Sequence, residues 1–160
     1  MNRVYNFSAG PAVLPLEVLE EASRELPNFH GQGMSILEMS HRGATYSAIH
    51  EEARTNLREL LAIPETHDIL FLQGGGHLQF AMVPLNLLGA AAEATYIVNG
   101  VWSKKAATEA AKFCHVDVIT SDYGHGVPPA DVVKVPNDAA YLYYCQNETV
   151  NGLEFNYIPP

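Results

Sequence analysis

Short apolar runs at 68–72, 95–99, 116–120 and 140–144 alternate with stretches of helical periodicity, and this alternation restricts the fold more than any other feature of the chain. Strands joined through intervening helices return in parallel orientation, whereas antiparallel neighbours need only a tight turn. The expected class is α/β, with helices around a mainly parallel sheet. A first helix places Val18, Leu19, Ala22 and Leu26 on one face and ends at Pro27. A second, from about 47 to 61, aligns Tyr46, Ile49, Ala53, Leu57 and Leu60 before Pro64 stops it. A third closes at Gly89, and a fourth spans 102–113.

The run at 68–72 reads as a buried strand and leads directly into Gln73-Gly74-Gly75-Gly76-His77-Leu78-Gln79, after which Phe80-Ala81-Met82-Val83 suits the first turns of a helix. Strand, glycine turn and helix together aim unpaired backbone N–H groups and the positive end of a helix dipole at an anion. Glycine lets the chain approach phosphate oxygens with no Cβ in the way. A dinucleotide fingerprint would need Gly or Ala at Gln79, and a P-loop would need a Gly-Lys-Ser/Thr ending; neither is present. A tight turn without a ligand satisfies the same residues.

At 160 residues the chain is long enough for one domain with a core. Acidic residues outnumber basic ones, 18 to 9, for a formal net charge of −9, and no Lys/Arg cluster follows a phosphodiester backbone. No nucleic-acid partner is expected, and any anion must be held by local donors against the overall field. No stretch has membrane-spanning length, and the first residues lack a signal-peptide core, so no membrane association and a cytoplasmic setting are expected. Cys114 and Cys145 read as buried free thiols. The histidines show no metal-ligand spacing, so no metal site is expected. There is no GxSxG and no cysteine–histidine pairing for covalent hydrolysis. The ending Tyr157-Ile158-Pro159-Pro160 brings no closing helix, although parallel sheets are covered on both faces. The expected organisation is an N-terminal arm at 1–15 and an interrupted domain at 16–160.

Ligands of open α/β sheets lie beyond the carboxyl ends of the strands. The segments there are 74–79, 99–102, 121–126 and 145–149. Trp102, the single tryptophan, can lie against an aromatic cofactor or pack between helix and sheet. Thr149 can donate to a cofactor oxygen, or it and Asn147 can cap a turn. In Ser40-His41-Arg42-Gly43, Arg42 suits two-pronged anion recognition with His41 as a second donor, or both are solvated loop residues.

Taken as an ordered set, several motifs resemble the phosphoserine aminotransferase family, class-V enzymes of fold type I that depend on pyridoxal 5′-phosphate. These motifs are Asn6-Phe7-Ser8-Ala9-Gly10-Pro11-Ala12, Ser40-His41-Arg42-Gly43, Gly74-Gly75-Gly76 with Gln79-Phe80, Val83-Pro84-Leu85-Asn86, Gly100 with Trp102, and Cys145 with Asn147-Glu148-Thr149. Gln146 departs from the family, which usually has proline there. The resemblance implies amino transfer between L-glutamate and 3-phosphohydroxypyruvate, giving O-phospho-L-serine and 2-oxoglutarate in serine biosynthesis. It implies that Gly76 and His77 hold the cofactor phosphate through backbone N–H groups. Trp102 would stack on the pyridine ring, and Thr149 would bond the cofactor near its phenolic oxygen. His41 and Arg42 would bind the anionic group of the substrate, across the interface of a homodimer.

Transamination also needs a lysine that forms a Schiff base with the cofactor and a carboxylate at its ring nitrogen. In the family both follow the Thr149 position. The chain's lysines are Lys104, Lys105, Lys112 and Lys134, and none follows a buried strand at the expected place. No catalytic residue is therefore assigned. Two readings stay open: the N-terminal part of an aminotransferase, inactive without the remainder, or a non-catalytic module that binds a phosphorylated ligand.

Overall fold

A computed structural model describes residues 3–8, 10, 12–120 and 125–160. Ala9 and Pro11 of the turn-rich start, and residues 121–124 of the expected 121–126 loop, lie outside the described residues. The chain divides into two compact units, Met1–Leu70 and Phe71–Pro160.

The first unit holds two helices, α1 (Leu16–Glu25) and α2 (Ala44–Leu60). In α1, Glu17 in the first turn and Arg24 in the last complement the helix dipole, and Pro27 follows the cap residue Leu26. Arg58 helps end α2 by donating to the carbonyls of Ile63, Pro64 and His67. The expected apolar faces exist as patterns, yet neither helix has a buried residue, and Val18, Leu26 and Leu60 are exposed.

The second unit is built on a three-stranded parallel sheet in the order β2-β1-β3, as alternation predicts. Its members are β1 (Glu93–Val98), β2 (His115–Thr120) and β3 (Leu142–Tyr143). Tyr96 is in register with Val118 on one side and Tyr143 on the other. Before β1 runs α3 (Gly75–Leu87), and between β1 and β2 runs α4 (Val101–Ala110). Alternate residues of β1 serve two cores. Ala94, Tyr96 and Val98 pack with Ala106, Ala107 and Ala110 of α4 and with Phe80 and Leu88. Ile97 packs with Val133 and Phe155 on the other side. Burial on both faces explains why apolar Tyr96, Ile97 and Val98 follow one another in β1 without alternation.

Residues 68–72 correct the reading as a buried strand. They pair with no strand among the described residues, and Leu70, Phe71 and Leu72 are exposed. An apolar run becomes a strand only where a neighbour completes its ladder. The strand expected at 140–144 shrinks to the two residues of β3. The glycines also do more than turn: Gly75 and Gly76 form the first turn of α3, which begins well before Phe80. Gly89, at φ 56°, follows the C-cap as expected. A two-residue hairpin, β4 (Asn147–Glu148) with β5 (Leu153–Glu154), completes the unit. Its turn closes through the Gly152 N–H to the Glu148 carbonyl, 2.8 Å.

Candidate functional site

The second unit presents two helix N-termini of opposite character. At α3 the cap residue is Gly74, with φ 92° and no side chain to accept the first amides. Glycine is required there twice over, since the φ is left-handed and a Cβ would strike the side chain of Leu78. A Cβ on Gly75 or Gly76 would meet nothing within 4 Å. The amides of Gly75, Gly76 and His77 therefore begin α3 without a side-chain cap among the described residues.

At α4 every leading amide is taken. Val101 N–H donates to Asn151 Oδ1 (3.0 Å), Trp102 N–H to Glu148 Oε2 (2.8 Å) and Ser103 N–H to Glu148 Oε1 (2.6 Å). The Ser103 hydroxyl donates to Glu148 Oε1 (2.5 Å) and accepts from the Asn99 and Gly100 amides. Glu148 is wholly buried, and its negative charge sits on the positive end of α4. Gly100 leaves room for it: a Cβ there would land on the Glu148 carboxyl. With α4 closed by a carboxylate, α3 is the terminus whose chemistry suits an incoming anion.

Gly76, His77, Trp102 and Thr149 are brought together in this unit. The His77 ring lies edge-on to Trp102 at 5.6 Å between centroids, one residue from Gly76. The Trp102 indole N–H donates to Thr149 Oγ1 at 2.9 Å. Lys105 Nζ sits 4.7 Å from the centre of the indole ring, a cation–π contact. A groove of about 680 Å³ between α3 and α4 reaches this cluster at Gly74 and His77, over a floor that includes Leu78, Phe80 and Val101. Among the described residues no group of His, Cys, Asp and Glu side chains is placed to hold a metal.

His41 and Arg42 belong to the first unit, in an exposed turn closed by the Gly43 N–H to the Ser40 carbonyl, 2.9 Å. The Arg42 amide also donates to Ser40 Oγ. Both side chains are solvent-exposed. The thiols are free and half-buried. Burial raises the Cys114 thiol pKa above its ordinary value; burial, then the nearby Glu148 charge, raises that of Cys145. Burial pushes the Tyr143 hydroxyl up to about 12, and Tyr96 and Tyr141, joined by a 2.8 Å hydrogen bond, are raised as well.

The network around Glu148 escaped the sequence reading. Two signals pointed to it: a glycine that cannot cap its own helix at Gly100, and a serine at the third helical position, Ser103.

The residues fit pyridoxal 5′-phosphate on structural grounds. There is an uncapped amide cradle for a phosphate, an indole beside it for a flat ring, and a hydroxyl tied to that indole. Residues 4–159 match the aminotransferase class-V family. The chain belongs to the class-V aminotransferases. It is 54% identical to a phosphoserine aminotransferase of Coxiella burnetii, across 99% of this chain and 45% of that protein. Identity to the phosphoserine aminotransferase of Nitrosomonas europaea is 49%, across 99% and 44%. Among solved structures, the phosphoserine aminotransferase of Bacillus circulans subsp. alkalophilus superposes with a TM-score of 0.88 at 44% identity, across 98% and 44%. The pyridoxal-phosphate-bound phosphoserine aminotransferase of Trichomonas vaginalis gives 0.89 at 43%, across 99% and 48%. The chain thus spans under half the length of these relatives. Among the described residues no helix is long and apolar enough to cross a membrane.

Proposed function

We propose that this chain supplies the phosphate-and-ring half of the cofactor site of a phosphoserine aminotransferase. The reaction moves the amino group between L-glutamate and 3-phosphohydroxypyruvate, with O-phospho-L-serine and 2-oxoglutarate as products, in cytoplasmic serine biosynthesis. The observation that carries the reading is the α3 N-terminus, open at Gly75, Gly76 and His77, beside an indole bonded to Thr149. Pyridoxal 5′-phosphate, when bound, supplies the electron sink that weakens bonds at the amino-bearing carbon.

This chain's residues would do the rest of the holding. The Gly76 and His77 amides bind the phosphate, with the α3 dipole aiding. Trp102 lies against the pyridine ring, and Thr149 donates to the oxygen beside the reacting carbon. His41 and Arg42 receive the anionic end of the substrate, in a homodimer. Arg42 suits that task through its fixed fork of donors. None of Lys104, Lys105, Lys112 and Lys134 is assigned covalent attachment of the cofactor.

The test is amino transfer from L-glutamate to 3-phosphohydroxypyruvate by a polypeptide carrying this chain together with the remainder spanned by its relatives. Activity with that pair, lost on Trp102→Ala, supports the reading. Turnover only of unphosphorylated oxo acids contradicts it. The reading as a non-catalytic module has no separate observation in its favour.

A further inference from the structure

Trp102 is held at both ends by consecutive residues of one hairpin. Its main-chain N–H donates to the carboxylate of Glu148 and its indole N–H donates to the hydroxyl of Thr149. An indole nitrogen can only donate, so Thr149 Oγ1 is the acceptor in that bond. The hydroxyl proton of Thr149 is thereby left for a different acceptor. A threonine hydroxyl carries one donor and two acceptor lone pairs, and the indole N–H occupies one of those lone pairs, which turns the O–H away from Trp102. Glu148 fixes the other end. It is wholly buried, accepts from the Trp102 and Ser103 amides and the Ser103 hydroxyl, and is continuous in the chain with Thr149.

We infer that Glu148 and the indole N–H of Trp102 are positioning groups that orient the Thr149 hydroxyl to donate to an anionic oxygen of the bound cofactor. The inference rests on the cofactor reading above for the identity of that oxygen, and on the hydrogen-bond geometry for everything else. It gives Trp102 a task separate from ring stacking: a phenylalanine could stack but has no N–H to donate to Thr149. It also explains why a full negative charge is buried at 148: only a carboxylate accepts at two adjacent amides and a hydroxyl at once, and its charge keeps the α4 terminus from competing with α3 for the phosphate.

The chain has one tryptophan, so its ¹⁵N-labelled form shows one indole cross-peak. Thr149 is exposed, and Thr149→Val keeps its shape while removing the acceptor. The expected result is an upfield move of the indole proton and severalfold faster exchange with water, both reversed in Thr149→Ser. Glu148→Gln, which places an amide donor against amide donors, should speed exchange of the Trp102 and Ser103 amides by about tenfold or more. It should also move the indole cross-peak. Glu148→Asp, shorter but still charged, guards against simple misfolding by giving an intermediate effect. An indole cross-peak unmoved in Thr149→Val overturns the inference. So does a Glu148→Gln protein whose amides loosen while the indole stays in place, because Glu148 would then be a helix cap and nothing more. Added pyridoxal 5′-phosphate separates the two levels of the argument. If the valine and serine effects hold but the cofactor leaves the indole untouched, the positioning stands and the cofactor reading fails.

Discussion

Gly100→Ala tests the buried carboxylate through the space it needs. The φ of Gly100 is −159°, an extended value that alanine adopts freely, so the substitution carries no backbone penalty. Its Cβ instead lands on Cγ, Cδ and Oε2 of Glu148, in a position with no exposed route of escape. Overpacking of this kind costs about 1–3 kcal/mol. The carboxyl must also retreat from Trp102 and Ser103, and a charge-assisted hydrogen bond is worth about 1.5–3 kcal/mol. Because the retreat stretches the three bonds rather than deleting them all, the expected total is about 3–5 kcal/mol, the range for parting a buried charge from its partners. That is a large share of the about 5–15 kcal/mol that holds a domain folded. Urea unfolding followed by circular dichroism should show a lower midpoint with an unchanged slope. The same substitution made on Glu148→Asp, where the shorter side chain withdraws from the Cβ, should cost at least about 1 kcal/mol less. Additive effects of the two substitutions would refute the steric account.

Arg42→Lys in the active enzyme should weaken productive substrate binding about ten- to a hundredfold while leaving cofactor binding intact, read from kcat/KM beside a cofactor titration. Unchanged kinetics would return Arg42 to the solvent. Pyridoxal 5′-phosphate followed by borohydride reduction should label no lysine of this chain in a saturable one-to-one manner by peptide mass analysis; stoichiometric labelling of one of the four would contradict the assignment. Tyr143, raised by burial from 10.0 to about 12, is protonated in the fold where the unfolded chain has begun to ionise. Its contribution is complete below pH 10 and is lost as pH rises through about 12, so urea midpoints should fall across that window and fall less in Tyr143→Phe. The raised thiols of Cys114 and Cys145 should react with iodoacetamide at pH 8.5 more slowly than after denaturation.

What could be read from the sequence was whatever depends on neighbours in the chain. β1 was legible because burial on both faces leaves Tyr96, Ile97 and Val98 apolar in succession, and α4 because Gly100 opens it and small residues line its inner face. Residues 68–72 are at least as apolar as β1, yet a ladder requires a partner, and apolar character says nothing about which strand lies alongside. Gly75 and Gly76 read as turn because glycine weakens helix interiors; Gly75 opens α3 and yet keeps a turn residue's left-handed φ of 57°, so both descriptions meet at one position. Trp102 and Thr149 were each identifiable as candidates, but their mutual hydrogen bond joins positions far apart in the chain. Glu148 was hidden for the same reason. A buried carboxylate looks like a surface residue until the helix terminus it neutralises has been located.

The central claim is that the open terminus of α3 receives a phosphate while the Trp102–Thr149 pair receives the ring attached to it. Titration of the ¹⁵N-labelled chain with pyridoxal 5′-phosphate, and separately with pyridoxal, tests both halves in one spectrum. The account predicts saturable shifts of the Gly75, Gly76 and His77 amides with the phosphorylated compound only, together with a shift of the Trp102 indole. Shifts confined to residues elsewhere, or α3 amides that respond equally to pyridoxal, would contradict it.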